Sequence, residues 1–142
     1  SQASGALRSL IESSAPRRPY CALEKNQAHI RPLSTALGEP YLQLNPPVMA
    51  AWLILDIDRP GAAMAWEDAK LQPPTFIASN PENGHAHLGY ALAAPVCKSN
   101  SARAAPLRYL AALEAAFVEA TGADMCGAEV ILTHCAEVKV TH

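Results

Sequence analysis

The run Val48-Met49-Ala50-Ala51-Trp52-Leu53-Ile54-Leu55-Asp56-Ile57 constrains this chain more than any other stretch. It is apolar at odd and even positions alike until Asp56, so as a strand it has two faces to bury and needs a layer on each. Asp58, Arg59 and Pro60 follow, and the proline ends the element. A strand repeats every two residues, which puts Asp56 and Asp58 on one face about 6.5–7 Å apart. Two carboxylates at that spacing either fray into solvent as a strand end or hold hard divalent cations such as Mg²⁺ or Mn²⁺.

A length of 142 residues fits a single domain with its own core, here expected to span 1–142 with residues 1–16 as a helical or flexible lead. Half the residues are hydrophobic and 17% are charged, which excludes a disordered chain. The formal charge of −2 gives no overall basic field that would draw the protein onto nucleic acid. Arg17-Arg18 is the densest basic spot, a pair of solvated loop charges or a weak phosphate contact. No apolar run is long enough to span a membrane, no signal peptide is visible, and the cysteines form no C-x-x-C pair. Reduced thiols in a cytoplasmic protein follow as the expectation. A zinc site from Cys126, His134 and Cys135 is the alternative, with poor geometry because two of its ligands are adjacent.

Along the chain, residues 5–14 suit a short helix with Leu7, Leu10 and Ile11 on one face. Tyr20–Leu23 and Tyr41–Leu44 read as extended pieces, and residues 24–40 have no clear pattern. One or two helical turns are expected over 63–69, then a strand over 75–78. Asn80-Pro81-Glu82-Asn83-Gly84 is a turn signal that joins this strand to a second over 85–96, as an antiparallel hairpin. A long helix is expected from Pro106 to Thr121, with Leu107, Leu110, Leu113 and Phe117 toward the sheet and Gly122 as its stop. Residues 130–132 and 138–140 complete the strands. The fold class is α/β in the broad sense, α+β in detail: a mostly antiparallel sheet with packed helices.

His85 and His87 share a strand face as Asp56 and Asp58 do, just after the tight turn. If the two strands lie in one sheet, imidazoles and carboxylates form one site, and two chemistries fit it. In one, Asp56 and Asp58 hold divalent cations at a nucleoside triphosphate, histidine hydrogen-bonds the phosphates and Arg59 adds charge compensation. In the other, His85-Ala86-His87 is the His-hydrophobic-His pair of a nicking endonuclease, with Tyr109 as the attacking hydroxyl.

The ordered motifs Arg18-Pro19-Tyr20-Cys21, Tyr41-Leu42-Gln43-Leu44-Asn45-Pro46-Pro47, Asp56-Ile57-Asp58-Arg59-Pro60-Gly61-Ala62, Trp66-Glu67-Asp68, Pro73-Pro74, Asn80-Pro81-Glu82-Asn83-Gly84-His85-Ala86-His87-Leu88 and Pro106-Leu107-Arg108-Tyr109 span roughly 100 residues. With them the chain resembles the Rep proteins of colicin-type theta-replicating plasmids, a family similar to the archaeo-eukaryotic primase superfamily. The resemblance implies a primase catalytic domain with an RRM-like core. It would act on plasmid origin DNA as single-stranded template, join nucleoside triphosphates, and hand a short primer to a host DNA polymerase. It further implies Mg²⁺ or Mn²⁺ on Asp56 and Asp58, and His87 on the triphosphate with His85 beside it. A third carboxylate is also implied, for which Asp124 and Glu129 are the residues at hand. The family's pattern after Asp124 is not followed by Met125-Cys126-Gly127-Ala128-Glu129, and its C-terminal origin-binding part is not within these 142 residues, so a non-catalytic DNA-binding module of the same fold stands beside nicking as an alternative.

Overall fold

In a computed structural model, residues 5–24, 27–39, 41–99, 102–125, 129–131 and 135–136 are described. Helix α1 (Gly5–Ser14) leads into a first sheet built from short pieces: β1 (Tyr20–Ala22), β2 (His29–Ile30) and β3 (Tyr41–Gln43), with α2 (Leu33–Ala36) between the last two. The second sheet holds β4 (Met49–Ile57), β5 (Phe76–Ser79) and β6 (Ala86–Cys97), and α3 (Ala65–Asp68) and a 3-10 turn (Ala62–Met64) lie in the β4–β5 connection. Helix α4 (Ala104–Thr121) follows β6. Three short strands then return to the sheets: β7 (Asp124–Met125), β8 (Glu129–Ile131) and β9 (Cys135–Ala136). The strand orders are β2-β1-β3-β8 and β7-β4-β6-β5-β9, and every pairing is antiparallel. The molecule is thus α+β, as expected, and β4 is an interior strand with neighbours on both sides.

Its two faces feed two cores. Trp52 and Ile54 face the first sheet and α1, in a cluster with Leu7, Ile11, Cys21, Leu42, Leu44 and Phe76. Leu53, Leu55 and Ile57 face α4 and the β4–β5 connection, together with Ala62, Ala65, Leu88, Tyr90 and Leu110. The alternation is re-phased by a bulge between Ala50 and Trp52. There the amides of Ala51 and Trp52 both donate to Asn45 Oδ1, each at 2.9 Å, while Asn45 Nδ2 donates to the Trp52 carbonyl. The Asn45 side chain thereby satisfies the backbone groups that the bulge takes out of the ladder.

Several expectations need adjusting. Leu10 is exposed, so α1 buries only Leu7 and Ile11. The long helix starts two residues before Pro106 and buries Leu110, while Leu107, Leu113 and Phe117 are only half-buried. The elements α2, β2 and β7 have two to four residues, too few to leave a periodicity. Leu132 and the expected strand over 138–140 lie outside the described residues. No described helix is long and apolar enough to cross a membrane.

Candidate functional site

Antiparallel register aligns the acid pair with the histidines. Asp56 on β4 stands opposite His87 on β6, and Ile57 stands opposite Ala86. Just beyond the paired region, Asp58 and His85 remain neighbours, with His85 Nδ1 3.6 Å from Asp58 Oδ1. His87 Nε2 lies 3.3 Å from Asp56 Oδ1. All four continue the face that carries Trp52 and Ile54, past the point where the first sheet covers it. Asp56 and His87 are consequently half-buried, and Asp58 is exposed.

Two loops hold this end of the sheet together. Gly84 adopts φ +74°, and its missing Cβ would lie 3.1 Å from Pro60 Cα, so the turn before His85 seats directly on the Asp58-Arg59-Pro60 loop. The Ala62 amide donates to the Gly84 carbonyl at 3.1 Å. Inside the turn, Asn80 Oδ1 accepts from the Glu82 amide and Asn83 Oδ1 from the His85 amide. The Asn-Gly signal therefore does more than reverse the chain; it fixes the histidine strand against the acid strand.

On its other side, Asp56 stands opposite Asp124 on β7. Directly opposed residues on antiparallel strands have Cβ atoms about 4.5–5.5 Å apart and share a face. Asp124 reaches this place because α4 stops in time. Gly122 takes φ 71° with its amide on the Val118 carbonyl, Thr121 Oγ1 accepts from the Ala123 amide, and Ala123 is buried. The Arg59 guanidinium donates to the Thr121 carbonyl, tying the acid loop to the helix end, where a cation also suits the helix dipole. The contact found for Arg59 is therefore one that positions Asp124. Glu129 lies elsewhere: its backbone pairs with Gln43 in the first sheet, so of the two candidate third acids Asp124 is the one beside Asp56.

Burial is the main cause that pushes the Asp56 carboxyl above its usual range. The charge of His87 pulls it back, while Asp58 and Asp124 push it further up. Burial likewise pushes His87 down, against the pull of Asp56 and Asp58. Both groups are thus driven toward their neutral forms by desolvation, and three carboxylates crowd one half-covered strand end. A divalent cation would relieve that crowding, and carboxylate oxygens suit Mg²⁺ or Mn²⁺. Among the described residues the three acids do not bring ligand atoms within 4.8 Å of one another, so their side chains would have to turn inward around an ion.

Arg17 and Arg18 are exposed in the loop before β1. Tyr109 is 68% exposed near the start of α4, twelve residues before Thr121 and so about 18 Å along the helix from the end that Arg59 holds. Cys126 and His134 lie outside the described residues. Cys21 and Cys97 are free thiols. One grouping has no counterpart in the sequence reading: Cys21, His29 and Glu39 come together on the first sheet. Its only sequence signal is a cysteine and a histidine eight apart, on segments too short to be recognised as paired strands.

No curated protein and no solved structure gives a significant match to the chain. A sequence model of the Replicase family matches residues 14–132, which takes in β1 to β8, Asp56, Asp58, the two histidines and Asp124. The chain belongs to the Replicase family and is a replication protein.

Proposed function

We propose that this protein is a primase, a template-dependent nucleotidyltransferase whose catalytic face is Asp56, Asp58, Asp124 and His87. The observation that carries the reading is the single row Asp124–Asp56–His87 across β7, β4 and β6, with Asp58 and His85 at its edge. Like charges directly opposite in a sheet are destabilising, and a local rule is broken in this way chiefly where function requires it. Bound Mg²⁺ or Mn²⁺ would neutralise triphosphate charge and activate a 3′-hydroxyl. The three aspartates would supply its oxygen ligands. His87, kept neutral by burial, has one N–H to give. With the site empty of nucleotide that N–H can serve Asp56, and with a triphosphate in place it passes to a phosphate oxygen. His85 lies alongside as a further polar contact, and Arg59 holds the end of α4 so that Asp124 stays in the row.

The substrates on this reading are nucleoside triphosphates and a single-stranded DNA template at a plasmid origin, and the product is a primer for a host polymerase. The nicking alternative finds less support, because Tyr109 lies twelve residues, about 18 Å along α4, from the helix end that Arg59 ties to the acid loop. Incubation with single-stranded template, labelled ribonucleotides and Mn²⁺ or Mg²⁺ tests the proposal. Oligomers that disappear in Asp56→Ala, Asp58→Ala and Asp124→Asn, and persist in Tyr109→Phe, are the expected result. A covalent DNA adduct lost in Tyr109→Phe would overturn it in favour of nicking.

A further inference from the structure

The first sheet carries a group of side chains that the acidic face does not use. Cys21 on β1 is the register partner of His29 on β2, so their side chains leave the same face of the sheet. Glu39 comes in from the turn after α2, and its Oε1 and Oε2 lie 2.7 and 2.9 Å from His29 Nε2. One ligand-type atom from each of the three residues lies within 4.8 Å of the other two. Cys21 is fully buried, whereas His29 and Glu39 are half-buried on the solvent side.

A cysteine–histidine–carboxylate group suggests either a nucleophile or a metal centre. The nucleophile fails on access and activation: Cys21 has no solvent exposure, and burial pushes its thiol up to about 11. In addition, the His29 Nε2 atom is engaged with Glu39, while the Cys21 thiol donates to the His29 carbonyl at 3.7 Å. The metal centre fits on donor type, charge and access. Sulfur and imidazole nitrogen select a borderline cation of the zinc class over Mg²⁺. A thiolate and a carboxylate together balance a divalent charge. The half-buried His29 and Glu39 leave an entry path, and a water completes a tetrahedron.

We propose that Cys21, His29 and Glu39 form a zinc-class metal centre on the first sheet, chemically distinct from the acidic face of the second. In a tetrahedral site neighbouring ligand atoms are about 3.3–3.8 Å apart, so the His29–Glu39 contact opens by roughly half an ångström and the cation replaces the proton between them. Arg31, next to β2, is held in place by its Nη1, which donates to the Ile30 carbonyl. The centre joins β1, β2 and the α2 turn, segments of two to four residues that have few ladder bonds of their own. These segments pack beside the core that ends at Asp56, so the metal acts as a staple for the layer next to the catalytic face.

The test uses the full chain, purified with Zn²⁺ and without chelator, then loaded with Co²⁺ in place of zinc. About one zinc per chain and a thiolate-to-cobalt charge-transfer band are expected. Both are lost in Cys21→Ser, and His29→Gln and Glu39→Gln weaken zinc binding by at least the roughly 10–100-fold that losing even an outer-shell partner costs. Zinc also raises the melting temperature of the wild type and not of the three variants. Cys97→Ser and Asp56→Asn keep zinc at the wild-type level, which separates this centre from the acidic one. If Cys21→Ser does not fold, the two substitutions at half-buried positions and the wild-type cobalt spectrum still decide the matter. Absence of stoichiometric zinc, or zinc retained in Cys21→Ser and His29→Gln through other residues such as Cys126, His134 and Cys135, overturns the proposal.

Discussion

Asp56 is held in a place that suits chemistry better than folding. It is half-buried, faces Asp124 across one ladder and has Asp58 two residues on, and of these neighbours only His87 favours its ionised form. A carboxyl whose folded pKa is raised folds most readily when protonated. The resulting penalty is absent below the unfolded pKa and appears as pH rises through the folded one. Asp56→Asn is therefore expected to stabilise the protein at neutral pH by no more than about 1 kcal/mol, because a side chain about one-third exposed is screened by solvent. The gain should vanish in acid, and primer synthesis should fall by at least about 100-fold. Urea denaturation at pH 7 and at pH 4, beside the synthesis assay, checks both signs, and a loss of stability at pH 7 would contradict the crowding argument. Much of this was legible in the sequence, because Asp-x-Asp and His-x-His each put two side chains on one face whatever the tertiary context. The choice of Asp124 over Glu129 was not: its strand has two residues and leaves no pattern, and its pairing depends on where α4 ends. The position of Arg59 was likewise hidden, since its partner is a backbone carbonyl that any residue at 121 would present.

At the scale of the elements, the β5–β6 pair shows how a missing side chain sets the packing. Gly89 is the register partner of both Ile54 and Phe76, and a Cβ on it would lie 2.0 Å from Phe76 Cε2. The Phe76 ring thus occupies the space a Gly89 side chain would need, with its centroid 5.4 Å from that of Trp52. Gly89→Ala would drive a fully buried ring into a packed core, at an expected cost of about 1–3 kcal/mol. Phe76→Leu should be costly alone but recover part of the loss in combination with Gly89→Ala, because the smaller side chain removes the clash. Denaturant midpoints of the two single variants and the double variant measure that coupling. Additive effects would show that the ring is not what the glycine accommodates. A glycine inside a strand signals close approach, but the sequence alone does not say to what. The bulge at Ala50/Trp52 was hidden for a related reason, since an apolar run reads the same with or without a change of phase.

For the molecule as a whole, the decisive fact is that β4 lies in both cores. Trp52 reports on the core shared with the first sheet, where its Nε1 donates to Ser14 Oγ at 2.9 Å. Trp66, at the other face, packs against the core under α4. If the two layers were independent, each could melt around its own tryptophan. They share a nine-residue strand whose side chains alternate between them, so losing one core frees the strand that the other needs. Trp66→Phe leaves Trp52 as the single fluorophore, and Trp52→Phe leaves Trp66. Within each variant, the fluorescence transition should coincide with the far-ultraviolet circular dichroism transition, although the two variants can differ from each other in midpoint. Coincidence in both follows from β4 acting as the common wall. A fluorescence transition that precedes the loss of secondary structure in the Trp52-only variant would mean instead that the first sheet detaches by itself. The acidic face would then keep its row of residues while losing the layer beside it. That outcome would also locate the weak layer at the short segments around Cys21, His29 and Glu39, where a bound cation has the most stability to add.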